Sequence, residues 1–183
     1  MKRKIFVLLI VGGLVVSLSC TNSRKEYNVG SQVSIDKIFQ GQDGTISLTV
    51  DKAATYSDMS NPSDNTAEWN VMVSKKGRYN VWLSSYTRDS TNLNYQDSVR
   101  VSIEDTKTIG ALPSVDRIMY NPTDGSMPYR ADSFIGSLVI PDTGLVSIQV
   151  ISEKIVPKEK ASGREDSKLI SVILTPEKRV SDL

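Results

Sequence analysis

The chain has 183 residues, 22 of them Lys or Arg and 21 Asp or Glu, for a net charge of +1, with one cysteine and no histidine. That length supplies one domain with a substantial core, and so balanced a charge leaves no electrostatic footprint for nucleic acid. The absence of histidine removes Ser-His-Asp and Cys-His nucleophile systems, the commonest general base and every histidine-containing zinc site, so any catalysis would fall to carboxylates, lysine or tyrosine.

The first segment reads as a targeting signal. Lys2, Arg3 and Lys4 precede an apolar run from Ile5 to Val16, and Ser17-Leu18-Ser19-Cys20 follows. A basic start, a short apolar stretch and small residues before a cut mark a secretory signal, and the run falls short of the roughly 20 apolar residues that cross a bilayer. The only cysteine stands where cleavage would occur. The segment resembles a bacterial lipoprotein signal, which implies removal of residues 1–19 and acylation of Cys20; Ser19 fits that pattern, while Ser17 and Leu18 reverse its usual order. An ordinary secreted protein with a cysteine near its cut and an uncleaved anchor helix are the alternatives. Loss of Lys2, Arg3 and Lys4 with the signal leaves 19 basic against 21 acidic residues. With Cys20 lipidated no thiol remains for a disulfide, so the domain relies on its core.

Thr21 to Ser31 is polar and aperiodic and reads as a flexible tether. The expected organisation is a signal over 1–19, lipidated cysteine and tether over 20–31, a domain over 32–178 and a tail over 179–183. Thr21 after the cysteine is compatible with transport to the outer membrane, and Asn22 to Glu26 lacks the acidic run of a surface-export signal. The expected location is the cell envelope, anchored in the outer membrane and facing the periplasm or the surface.

From Val33 onward short strands are predicted: 33–39, 45–50, 67–74, 79–86, 98–104, 133–140, 145–152 and 169–175. They carry β-branched or aromatic residues at period two and are separated by Gly, Pro, Asn, Asp and Ser. Alternation puts Trp69, Val71 and Val73 on one face of their strand, and Tyr79, Val81 and Leu83 on one face of the next, opposite Asn80, Trp82, Ser84 and Tyr86. Gly77 suits a turn needing positive φ between these two strands. No stretch has a helical period of useful length. One buried and one wetter face per strand is the habit of antiparallel sheets, and eight such strands predict an all-β jelly-roll sandwich. Residues 106–132 read as a long irregular loop and 156–168 as a charged, solvated excursion.

The phrase from Ala67 to Leu83, AEWNVMVSKKGRYNVWL, resembles the core hairpin of galactose-binding-like β-sandwiches, closest to the family 6 and family 35 carbohydrate-binding modules. Asp43 to Ala54 looks like their opening strands, Val139 to Val150 like a later strand-turn-strand, and Leu169 to Pro176 like the closing strand, so the likeness covers roughly residues 33–177. It implies a jelly roll that binds sugar at its loop end or on its concave face. A structural calcium is common in that group, but Asp51 is the nearest early acidic match and Ser171 stands where an aspartate would be needed, so no metal or other cofactor is expected.

A sugar needs a flat apolar surface for its C–H face and amide or carboxyl groups for its hydroxyls. Trp82 and Tyr86, on one strand face with Asn80 and Ser84, form a platform if that face is open; packing of Trp82 beneath a loop or neighbouring sheet is the competing reading, and for Trp69 the core is the favoured one. The loop 88–97 adds Asn92, Asn94 and Tyr95 as ligand contacts, with Asp89 and Asp97 nearby, although its oxygen-bearing residues lack an EF-hand spacing. Tyr120 and Tyr129 form a further pair. A glycosidase needs two carboxylates at a set separation, and no spacing singles out any two of Asp58, Asp64, Glu68, Asp97, Asp116, Asp124 and Asp132. The expected function is therefore non-catalytic carbohydrate binding at a membrane through the lipid on Cys20, without nucleic acid. A protein-interaction or adhesion module of the envelope is the alternative, and a carboxylate-based hydrolase the minor one.

Overall fold

A computed structural model describes residues 28–29, 37–58, 60–104, 107–120, 127–156 and 165–178. The signal segment, Cys20, most of the tether and the C-terminal tail fall outside them. The described chain forms a two-sheet β-sandwich. Its strands are β1 (Asn28–Val29), β2 (Ile38–Phe39), β3 (Ile46–Thr49), β4 (Ala54–Ser57), β5 (Thr66–Val73), β6 (Gly77–Thr87), β7 (Val99–Ile103), β8 (Lys107–Ala111), β9 (Arg117–Tyr120), β10 (Tyr129–Ile140), β11 (Gly144–Ile151) and β12 (Ser167–Pro176). Two short 3-10 turns, Val50–Lys52 and Pro62–Asp64, are the helical elements among the described residues.

The first sheet runs β1-β4-β5-β11-β7-β8, with β2 added parallel to β5 beside Val71 and Met72. The second runs β3-β12-β6-β10-β9 and is antiparallel throughout. Period-two alternation is what makes these strands face each other. Ala67, Trp69, Val71 and Val73 of β5 are buried while Thr66, Glu68, Asn70 and Met72 are half-exposed. Tyr79, Val81 and Leu83 of β6 meet them from the other sheet, joined by Ile148 and Val150 of β11, Val99 and Val101 of β7, and Leu169, Val172 and Leu174 of β12. Trp69 is fully buried, and its indole Nε1 donates to the Thr49 carbonyl at 2.9 Å. The bond satisfies the one polar atom of the side chain and links the sheets at β5 and β3.

The strands predicted from alternation are present in the core. Four departures come from the margins. Asn28 and Val29, read as tether, pair with Tyr56 and Ser57 of β4. Of the predicted strand 33–39, Ile38 and Phe39 are paired and 33–36 lie outside the described residues. β4 was not foreseen. The segment 106–132, read as one irregular loop, contains β8, β9 and the start of β10. β8 and β9 are the last strands of their sheets, and all four β9 residues are exposed. An edge strand that buries neither face has no period-two signal to read.

Local geometry also places glycine. Gly77 has φ +149° at the β5–β6 turn, as its position predicted. Before β3, Gly44 has φ +88°, and a Cβ there would stand 2.7 Å from Cγ of Pro176. A stiff pyrrolidine ring cannot swing aside, so Gly44→Ala combines backbone strain with a clash. It is expected to lower stability by about 1–3 kcal/mol in urea unfolding; a midpoint equal to wild type would show that the turn can relax.

Candidate functional site

Three neighbouring strands of the second sheet end at one level. Tyr129 of β10 and Ser167 of β12 both lie opposite Thr87 of β6, and the Arg88 amide then donates to the Asp166 carbonyl at 3.0 Å, carrying the ladder one residue further. At this end an open cleft of about 480 Å³ is lined by Arg88, Asp89, Ser90 and Asn94 of the β6–β7 connection, with Tyr129 and Asp166. Tyr120, from β9, packs edge-on against Tyr129 with ring centroids 6.2 Å apart. The lining offers a guanidinium, two carboxylates, an amide, a hydroxyl and a phenol ring.

The loop holds its shape by short-range polar bonds. The Thr87 hydroxyl accepts from the Asp89 amide at 3.1 Å and donates to its carbonyl at 3.0 Å. Asp89 Oδ1 accepts from the Thr91 amide and hydroxyl, both at 2.7 Å. These two bonds, the amide first, hold the Asp89 carboxyl below the ordinary carboxylate range, so it stays ionised. Asn92 Oδ1 accepts from the Asn94 amide at 2.8 Å, and Asn94 adopts φ +51°, a conformation that asparagine tolerates well. Leu93 and Tyr95 turn inward between these residues, and the Ser167 hydroxyl donates to the Leu93 carbonyl. Two apolar anchors thus set the loop while the short polar residues stay outside.

The predicted site residues separate into three places. Asn94 lines the cleft. Asn92 is exposed on the same loop, with its side-chain oxygen committed to the turn. Tyr95 departs from the expected ligand contact: it is 7% exposed, packed in the core, with its hydroxyl 2.8 Å from that of Ser85. Its ring closes the loop over the sandwich. Trp82 and Tyr86 lie on the outer face of the second sheet, half-buried, and take no part in the cleft. Trp82 meets Phe134 of β10 at 5.3 Å between ring centroids, and the Arg117 guanidinium lies over its ring at 4.3 Å. Tyr120 and Tyr129 are brought together as a pair. Sequence reasoning missed Asp166 in the cleft and Arg117 and Phe134 on the sheet face, because cross-strand pairing alone makes them neighbours, and it passed over Arg88 and Ser90 within the loop it singled out.

No family model matches the sequence, and neither does any curated protein. Several solved structures superpose on part of the chain. An α-L-fucosidase from Vibrio sp. strain EJY3 superposes with a TM-score of 0.58 at 18% identity, over 76% of this chain and 24% of the fucosidase. A GH26-CBM35 β-(1,4)-mannanase from Podospora anserina superposes at 0.46 with 9% identity, over 75% of this chain and 29% of that one. The insecticidal crystal protein CRY2AA gives 0.44 at 13% identity, over 78% and 23%. The chain spans about a quarter of the length of each of these proteins. The fucosidase likeness establishes a shared β-sandwich.

Among the described residues no group of three or more acidic side chains is placed to hold a metal ion. Asp51 is exposed on the turn after β3.

Tyr95 carries a pH signature. Burial pushes its phenol far above the ordinary value, with the Glu153 carboxylate adding to the shift against the opposing Ser85 bond. A group whose folded pKa is raised contributes stability that is complete below the unfolded value of about 10 and is lost as pH rises from there towards the folded value. Ultraviolet titration of the folded protein should therefore leave Tyr95 silent just above pH 10 while stability declines. Tyr95→Phe should remove that alkaline decline, at a cost of about 1 kcal/mol at neutral pH for the lost hydrogen bond. Normal titration of all seven tyrosines in the folded state would refute the assignment.

Proposed function

We propose that the chain is a non-catalytic carbohydrate-binding lipoprotein, held to the envelope by a lipid on Cys20, that takes glycan in the cleft at the loop end. The observation that carries this reading is the cleft itself. About 480 Å³ of open space is lined by one tyrosine ring, braced by a second, and by five polar side chains. A pyranose presents alternating C–H faces and hydroxyls, and Tyr129 supports the first while Asn94, Ser90, Arg88 and the two aspartates serve the second. Openness suits a polymer that enters and leaves from the side. The likeness to part of a fucosidase contributes the fold; the glycan reading comes from the residues.

Two carboxylates in the cleft raise the question of catalysis. A glycosidase needs one of its pair protonated at working pH. Asp89 is held ionised by the Thr91 amide and hydroxyl, so it is not the proton donor of such a pair, and the binding reading rests on the lining of the cleft rather than on that state.

The test is a glycan array probed with the purified chain. Tyr129→Ala and Asn94→Ala should each weaken the preferred glycan about tenfold or more, the equivalent of one lost stacking or hydrogen-bonding contact at about 1.4 kcal/mol. Binding to no glycan, or unchanged binding by both variants, would defeat the cleft. The anchor is tested separately: metabolic labelling with a palmitate analogue should mark the wild type and not Cys20→Ser.

A second reading, an envelope protein-interaction module, is favoured by one observation. Ile118, Met119 and Tyr120 are 42%, 43% and 71% exposed in sequence on β9, the last strand of its sheet, and such edges accept further strands. It would displace the glycan reading if the array stays blank while Met119→Lys abolishes association with an envelope protein.

A further inference from the structure

The outer face of the first sheet ends in an apolar row. Phe39 of β2 lies opposite Met72 of β5, and Met72 lies opposite Leu145 of β11 on its other side. Paired residues point to one face of a sheet, and with Val71 and Val73 buried this is the outward face. Phe39 is 71% exposed and Leu145 50%, with Met72 half-exposed between them. The row stands at the Val73 end of β5, beside the β5–β6 turn, whereas the cleft stands at the Thr87 end of β6, so the two occupy opposite poles of the sandwich. Gln40 holds this pole in shape. Its side-chain oxygen accepts from the Ser74 and Lys75 amides at 2.9 and 2.7 Å, its Nε2 donates to the Gly44 carbonyl at 2.7 Å, and its own amide donates to the Met72 carbonyl at 3.2 Å. Phe39 is thus presented outward by a braced backbone. Charge divides across the row: Lys37, Lys75 and Lys76 are exposed on the β2 side, with Asp43 tied to Thr45 there, while Glu104 and Asp142 stand on the turns beside β11.

We propose that this pole docks on the bilayer surface, with Phe39, Met72 and Leu145 entering the boundary between headgroups and acyl chains. Lys37, Lys75 and Lys76 tilt the β2 edge towards anionic headgroups. The docking rests on the lipid-anchor reading above. Chain length places the bilayer within reach. Residues 21–27 separate Cys20 from Asn28, so the lipid lies at most about 29 Å from the start of β1. Through β4, Val29 sits at the level of Thr66, on the same edge of β5 that carries β2. From Thr66 to Met72 is about 20 Å along the strand, which that length of chain covers. The size of the patch also selects a lipid surface. A row of three side chains falls well short of the roughly 800 Å² per partner of a stable protein interface, but a covalent lipid needs only a modest second contact to fix how the domain sits. Docked this way, the cleft at the far pole faces away from the membrane, towards whatever glycan the compartment holds.

The test is tryptophan fluorescence of the full chain, expressed with its signal and reconstituted into vesicles of phosphatidylethanolamine and phosphatidylglycerol whose acyl chains carry bromine near the headgroup end. Phe39→Trp should add emission that is blue-shifted and quenched by bromine, above the wild-type baseline from Trp69 and Trp82. Leu112→Trp, at a residue 58% exposed just after the edge strand β8, should add emission that is neither. Both positions are exposed, so both variants should keep the wild-type unfolding midpoint. Adding Lys75→Glu and Lys76→Glu to Phe39→Trp should reduce the quenching. No quenching at residue 39, equal quenching at residues 39 and 112, or quenching unaffected by the two lysine reversals would overturn the proposal. So would a blue shift at residue 39 that bromine does not quench, the mark of a protein cover such as a second copy. Anchor and docking fail separately. A chain that takes up no palmitate analogue counts against the lipid on Cys20, whereas a labelled chain without quenching at residue 39 counts against the docking alone.

Discussion

The pairing of β6 on both edges is the constraint on which the rest of the molecule depends. This eleven-residue strand is hydrogen-bonded to β10 along one side and β12 along the other. Its inward residues Tyr79, Val81 and Leu83 are buried against the first sheet, each worth roughly 1.5–3 kcal/mol of apolar burial as an upper estimate. Because side chains alternate strictly, the same pairing that buries those three sends Trp82 and Tyr86 outward. A slip of one residue would exchange the two sets, so the core fixes the outer face as firmly as it fixes itself.

The end of β6 fixes the cleft in the same way. Thr87 has Tyr129 on one side and Ser167 on the other, which brings the β6–β7 connection, the start of β10 and the approach to β12 within reach of one ligand. The loop that completes the cleft is held by Leu93 and Tyr95, whose burial offsets the entropy of ordering a polar segment. Polar turns within the loop orient Asp89 and Asn94 at little further cost, because each short side chain bonds backbone two residues away. With a single cysteine the chain builds this end without an intrachain disulfide, which suits a domain of this size with a contiguous core.

Bulges adjust the outer surface. β10 shifts register between Phe134 and Gly136, and β12 between Leu169 and Ser171, both against β6. The extra residue in β10 is Ile135, which is buried, and it shifts the alternation so that Leu138 and Ile140 beyond it also face the core. The regular pairing before the bulge sets an exposed phenylalanine directly opposite an outward tryptophan on the neighbouring strand. Arg117 reaches the same spot from β9, whose register puts it opposite Asp132.

How much of this was legible from the residues depends on how local its cause is. The β5–β6 hairpin, with its alternating Trp69-Val71-Val73 and Tyr79-Val81-Leu83 and the glycine between them, was readable because each strand has one buried face. The outward position of Trp82 and Tyr86 followed from the same period, and Asn94, singled out for its residue type in a polar loop, lies in the lining of the cleft. Tyr95 was misread because an aromatic in a polar loop looks the same whether it faces a ligand or anchors the loop; burial beneath that loop decides, and burial is a tertiary quantity. β8 and β9 gave no signal because edge strands bury too little to impose a pattern. The sequence by itself therefore determined the alternation, hence the all-β class and the two faces of each central strand, since side-chain period is a property of the backbone. Only the tertiary structure decided which strands are neighbours, and with that the meeting of Asn94, Tyr129 and Asp166 in a cleft and of Arg117, Trp82 and Phe134 on a sheet face, because those contacts join residues that chain distance keeps apart.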